Sequence, residues 1–246
     1  MFNNRLTRIL SSMTVSIIFS GLIVWLTPEE QPSRILIMAG GVLPAGLIQA
    51  FTFFLFFFGM TEVLWINSRL TYEKDSFIMH LLPEKENWVL STDDVKNLKL
   101  KIQDVERSQK FYLTDLIKKC CTKYALSKSS SEVMALTEAQ LRIYQAELEN
   151  EQSFIRYVIW AIPSVGFIGT VIGIAASLGY AKDASSASGI EKVTDALAVA
   201  FDTTLVALIL SIILMYVVHS IQKKQDDLFI RINVYVIENL INRFYK

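Results

Sequence analysis

Histidine and cysteine are scarce in this chain of 246 residues, with two of each. His80 and His219 stand alone, and Cys120 and Cys121 are adjacent, so no group has the spacing of a metal site. No glycine-rich loop opens a soluble helix, and no serine–histidine pair has an acid beside it. These absences argue against an enzyme. Net charge is also lacking, with 24 basic and 24 acidic residues; no cofactor, no metal and no nucleic-acid partner is expected. Nothing reads as a strand.

Apolar residues are plentiful, at 52% of the chain, and they come in blocks. A helix needs about 20 mainly apolar residues to cross a bilayer core of about 30 Å. Four blocks meet or approach this: Ile9–Leu26, Ile35–Met60, Phe154–Tyr180 and Ala196–Val218. The first is the shortest, with Ser11, Ser12, Thr14 and Ser16 near its start. Arg5 and Arg8 ahead of it resemble a signal peptide, but no small-x-small cleavage site follows. The acidic turn Thr27–Pro32 leads at once into the second run, which reads as a retained helical hairpin.

The expected fold is an all-α membrane protein of four transmembrane helices, with a helical cytoplasmic insertion between the second and third. Residues 1–60 form an N-terminal hairpin with spans at about 9–27 and 35–60. Residues 61–153 form the cytoplasmic helical region. Residues 154–220 form a second hairpin with spans at about 154–180 and 194–219, and residues 221–246 are a cytoplasmic tail. Charge sets the orientation. Arg5, Arg8, the lysine-rich middle segment, Lys223, Lys224 and Arg231 lie on one side; only Arg34, Lys182 and Lys192 lie on the other. Basic loops stay in the cytoplasm, which puts both termini inside and leaves the cysteines reduced.

Within the middle segment, Trp65–Leu82 reads as a continuation of the second span, stopped by Pro83. Ser91–Asp94 offers an N-cap for a helix carrying Val95, Leu98, Ile102, Val105, Phe111, Leu113, Leu116 and Ile117 at helical spacing. Leu126–Ser131 breaks it, and Ser129 with Glu132 is spaced as a capping box for the next helix. The lysine faces at Lys96, Lys99 and Lys101 fit either a cytoplasmic partner or plain solvation. Residues 182–192 read as a flexible turn.

The third and fourth blocks hold the residues of interest. Gly166, Gly169 and Gly173 lie about one turn apart and share a face, which lets helix backbones approach closely in lipid. Pro163 removes a backbone donor near one end. Asp202 lies about 10 Å inside the fourth block, counted from Ala196 at about 1.5 Å per residue. An acid at that depth is a candidate functional site; bonding to a neighbour's threonine or backbone is its structural alternative. Thr203 and Thr204 follow it, and Thr170 lies on the facing span. Together the four suggest a polar path, although threonine also bonds back to its own helix.

The string Pro163-Ser-Val-Gly-Phe-Ile-Gly-Thr170-Val-Ile-Gly173 resembles the third-helix signature of the MotA/TolQ/ExbB proton-channel family. Ala196-Leu197 and Phe201–Leu208 resemble that family's fourth-helix stretch. The resemblance covers about residues 150–225, and the four-span count is that of the MotA-like branch. It implies an inner-membrane stator: a homopentameric ring around two single-span partners similar to MotB, TolR or ExbD. Each partner would carry the ion-binding Asp, and an effector in the cytoplasm or envelope would take up the work. Thr170 and Thr204 match the pore-facing threonines, Thr203 is their neighbour, and Pro163 matches the third-helix proline. The transported ion is H⁺ or Na⁺. Asp202 departs from the family, standing where an apolar residue is usual, and the first outer loop lacks the Gly-Pro-Gly segment of flagellar members. An anti-phage stator akin to the ZorA subunit of Zorya is therefore an alternative to a flagellar one. A non-conducting scaffold would use the same glycine face but would need no line of hydroxyls and acid.

Overall fold

The computed structural model describes residues 5–28, 33–41, 46–84, 89–183 and 186–244. Its helices are α1 (Arg5–Leu26), α2 (Arg34–Met38), α3 (Gly46–Asp75), α4 (Thr92–Ser108), α5 (Tyr112–Ser127), α6 (Ser130–Tyr180) and α7 (Ala187–Asn239). Among the described residues the one β feature is an isolated bridge between Leu90 and Phe244. Four helices, α1, α3, α6 and α7, are long and apolar enough to cross a membrane. The all-α, four-span class expected from the sequence is the class observed. At 1.5 Å per residue, α6 and α7 are each roughly 75–80 Å long, over twice the hydrocarbon thickness. Each therefore carries helix well beyond its apolar part.

The chain divides into two compact units, Met1–Trp65 with Ser153–His219, and Ile66–Gln152 with Ser220–Lys246. In the first, α1 inverts the pattern of a soluble helix. Its buried positions are Arg8, Ser12, Ser16 and Ile23, while Leu6, Leu10, Ile17 and Ile18 are exposed. Lipid solvates leucine as well as a protein core does, so small and polar residues take the packed face. Ser16 Oγ donates to Ala50 O of α3 at 3.2 Å. Arg8 Nε donates to Glu62 Oε1 at 2.9 Å, and the guanidinium also lies 4.3 Å from the Trp65 ring.

The second apolar block is one run in sequence but two helices in space. After α2, Gly40 takes φ +99°, a left-handed value open to glycine, and α3 begins only at Gly46. A Cβ on Gly41 would collide with Thr27 Oγ1, and one on Gly46 with the Gly40 carbonyl. The chain therefore folds back tightly here. Leu36, Met38 and Ala39 pack on a small core of Ile23, Phe53 and Val206, which presses α2 against α1, α3 and α7.

The second unit has its own core, including Ile66, Leu70, Ile102, Leu113, Leu116, Ile117, Leu148, Leu228 and Ile232. α3 ends at Asp75, with turns over 76–79, short of the Pro83 stop expected from sequence. The Ser91–Asp94 capping box opens α4. The apolar pattern reads as one helix from there to Leu126, but the structure breaks it at Gln109–Phe111. The break is held by one long-range and one local bond: buried Glu73 accepts the Tyr112 N–H at 2.8 Å, and Thr114 Oγ1, three residues on, accepts the Phe111 N–H at 3.1 Å. A carboxylate at a helix N-terminus is favourable. α5 ends at Lys128 with φ 52°, and Ser129 Oγ accepts the Glu132 N–H at 3.4 Å to open α6. The chain end is tied in by Leu90 N–H donating to Arg243 O at 2.7 Å and by Phe244 stacking on Tyr124. Residues 181–183 are a 3-10 turn and α7 starts at Ala187, so much of the segment read as a flexible turn is helical.

Candidate functional site

The site is built where α6 meets α7. A Cβ on Gly166 would come within 2.5 Å of Ala207 Cβ, and one on Gly169 within 2.5 Å of Thr203 Oγ1. A Cβ on Gly173 would come within 2.7 Å of Ala200 Cβ and 2.9 Å of Ala196 O. The glycine face of α6 is thus filled by α7 of the same chain, and the backbones approach closely because no side chain separates them.

That closeness puts backbone carbonyls among the threonines. Thr204 Oγ1 donates to Gly166 O at 3.0 Å, and Thr170 Oγ1 to Ala200 O at 3.0 Å. The Thr170 and Thr204 hydroxyls are also in direct hydrogen-bond contact with each other. Thr203 is fully buried, and its hydroxyl returns to Ala200 O at 2.9 Å on its own helix, so its role here is packing. Thr170 and Thr204 are half-buried, beside the exposed apolar residues Phe167, Val171, Phe201 and Leu205. A hydroxyl has one proton to donate and two lone pairs. The pair therefore has two arrangements. Thr170 donates to Thr204, which donates to Gly166 O, or Thr204 donates to Thr170, which donates to Ala200 O.

Pro163 leaves the Ile159 carbonyl without its helical donor. Ser211 Oγ of α7 supplies one at 3.3 Å. Sequence reasoning missed this partner. Its signal is a lone serine within the apolar stretch Leu205–Met215.

Asp202 takes another direction. Both its oxygens are held by Arg34, Nη1 to Oδ2 at 2.8 Å and Nη2 to Oδ1 at 2.8 Å. The carboxylate is buried on the α7 face that carries Val206 one turn later, and Val206 packs against α2. The structure therefore brings Thr170 and Thr204 together, with Thr203 beside them, and assigns Asp202 to a two-bond ion pair. Arg34 was visible in sequence only as a loop charge, and a separation of 168 residues left no local pattern. No group of three or more His, Cys, Asp or Glu able to hold a metal occurs among the described residues.

Four apolar helices, an inward polar stripe and a hydroxyl pair between two close-packed spans define a multi-pass helical membrane protein with a polar contact inside its bundle. The chain belongs to the MotA/TolQ/ExbB proton channel family, whose model matches residues 108–233, just over half of the sequence. The match takes in α5, α6 and most of α7, including Pro163, the three glycines, Thr170 and Thr204, and leaves out α1, α2 and α3. No curated protein matches the chain. No solved structure matches it either. Membership makes it a proton-channel type of membrane subunit from energy-transducing complexes.

Proposed function

We propose that the chain is the ring-forming subunit of a rotary, ion-driven motor of the bacterial inner membrane. Five copies surround two copies of a single-span partner, and proton flow between them is converted into mechanical work on an effector. The spans close into a ring through the exposed apolar faces of α6 and α7. Both termini and the second unit face the cytoplasm, where the lysine-rich segments fall.

The observation that carries this reading is the Thr170–Thr204 hydroxyl pair, half-buried at the edge of an exposed apolar face. It offers acceptor lone pairs, and a donor when one hydroxyl turns from its backbone carbonyl, to a group arriving from outside the chain. The buried acids of the same unit, Glu62 and Asp202, are each paired with an arginine. Arginine does not deprotonate in proteins, so neither pair opens by losing its base. The acid that loads and releases a proton is then supplied by a second chain, and the threonines solvate it as it passes. A carboxylate in hydrocarbon is otherwise costly.

The scaffold reading keeps one observation in its favour, since the glycine face is satisfied within one chain. Native mass spectrometry of the detergent-purified chain, co-expressed with its single-span partner, separates the two. Five copies with two of the partner support the motor. A monomer or dimer that takes up no partner contradicts it.

A further inference from the structure

Glu73 lies beyond the apolar part of α3, in the second unit, and is 6% exposed. Its Oε2 accepts the Tyr112 N–H at 2.8 Å, so the carboxyl sits at the start of α5, just after the break between α4 and α5. Four helices of the unit meet at Tyr112. Arg69 Nη2 of α3 donates to its hydroxyl at 2.6 Å, and its ring packs on Tyr144 of α6 at 4.7 Å and on Phe229 of α7 at 5.9 Å. Phe111 beside it stacks on Tyr72 of α3 at 4.7 Å. The charged neighbour of Glu73 on its own helix is Arg69, one turn earlier, whose Nη1 donates to both Glu151 oxygens at 2.7 and 2.6 Å. α6 brings Glu151 and Glu147 toward Tyr112, while α7 presents the uncharged Phe229. Burial pushes the Glu73 carboxyl from 4.5 up to about 7, against the opposing pull of the Tyr112 N–H and the Arg69 charge.

We propose that Glu73 makes the joint between α4 and α5 respond to pH. With its proton on, the carboxyl rests buried against Tyr112 and holds the start of α5 on α3. With its proton off, the carboxylate draws toward water and the joint opens over residues 109–112. An ionised carboxylate gains more from hydration than from a single backbone N–H in a buried site. When the joint opens, Glu73 returns to its ordinary value. The closed joint holds it above that value, so closure is fullest below about 4.5 and is lost as pH rises through about 7. The joint is therefore tightest when the compartment that this unit faces is acid. This behaviour belongs to the second unit alone and holds whether or not the chain conducts ions.

Three amides report the joint: Phe111, Tyr112 and Asp115, bonded to Thr114 Oγ1, Glu73 and Phe111 O. Their hydrogen–deuterium exchange is measured on the purified full chain and corrected for the intrinsic rate at each pH, which leaves the local opening equilibrium. Between about pH 5.5 and about pH 7.5 their protection is expected to fall about twentyfold in wild type. Glu73→Gln keeps the acceptor and cannot ionise, so its protection at the same amides is expected to stay level across that range. The Val133 amide, bonded to Ser129 O at the start of α6, is the internal control and is expected to stay level in both chains. Level protection at the joint in wild type overturns the proposal, as does an equal fall in Glu73→Gln. An equal fall at Val133 assigns the effect to unfolding of the whole unit and also overturns it. If Glu73→Gln does not fold, the wild-type comparison of the joint with Val133 carries the test, and only a fall confined to the joint supports the proposal.

Discussion

A hydroxyl between two acceptors reverses its hydrogen bond at little cost, and a carboxylate inside a bilayer does not tolerate isolation. These facts divide the polar residues of the membrane unit. Thr170 and Thr204 keep a bond that reads in either direction, with Gly166 O and Ala200 O as its two ends. Glu62 and Asp202 are each given an arginine. Removing one partner of a sealed pair leaves a buried charge, which costs about 3–5 kcal/mol. Arg8→Ala is therefore expected to unfold the chain in detergent several degrees below wild type. Arg8→Met with Glu62→Leu should recover most of the loss, because an apolar pair of similar volume replaces both charges. A double variant as unstable as the single would contradict this assignment. The threonine positions were legible in sequence because they sit in a motif. Asp202 was legible as an anomaly but its partner was not, since Arg34 lies in a separate loop and nothing local links the two.

At the scale of elements, close approach of α6 and α7 is the main device. Gly169→Ala places a methyl within 2.5 Å of Thr203 Oγ1 and 2.7 Å of Thr203 Cβ, so one helix must shift. Overpacking of this kind costs typically about 1–3 kcal/mol. Gly21, where an added Cβ would meet nothing within 4 Å, is the matched control. Thermal unfolding should separate Gly169→Ala from Gly21→Ala, and equal melting temperatures would refute the packing. The long helices were legible because hydropathy alone marks a span. The breaks were less so. Hydropathy marks 35–60 as one apolar block, and only the glycines and Pro44 within it hint at the end of α2, where Gly40 takes φ +99°. The break at Gln109–Phe111 has no proline or glycine. It depends on Glu73, 39 residues earlier, capping the Tyr112 N–H, which no window of neighbouring residues can reveal.

At the scale of the whole molecule, two units with separate cores share the chain. In the second unit Cys120 and Cys121 are fully buried, and burial pushes the thiols from 9.0 up to about 11 and about 12. The raised values favour the neutral thiol in the folded state. Their contribution is complete below the unfolded value near 9 and is lost as pH climbs toward 11–12. The melting temperature should therefore hold between about pH 7, where buried Glu73 has completed its own titration, and pH 9, and fall above it. Alanine at both cysteines should make that decline shallower, leaving the share of Tyr112, which burial pushes up to about 12, and an unchanged decline would assign all of it to such groups.

In the proposed motor, the Thr170–Thr204 contact carries protons with an acid from a second chain. Proton uptake into proteoliposomes holding the complex, compared among wild type, Thr204→Ser and Thr204→Val, decides whether it does. Serine keeps the hydroxyl and valine keeps the shape without it, so Thr204→Ser should conduct near the wild-type rate. Thr204→Val should assemble normally and lose conduction by about a hundredfold, the scale of one lost proton-transfer group. Full conduction by an assembled Thr204→Val complex would contradict the claim.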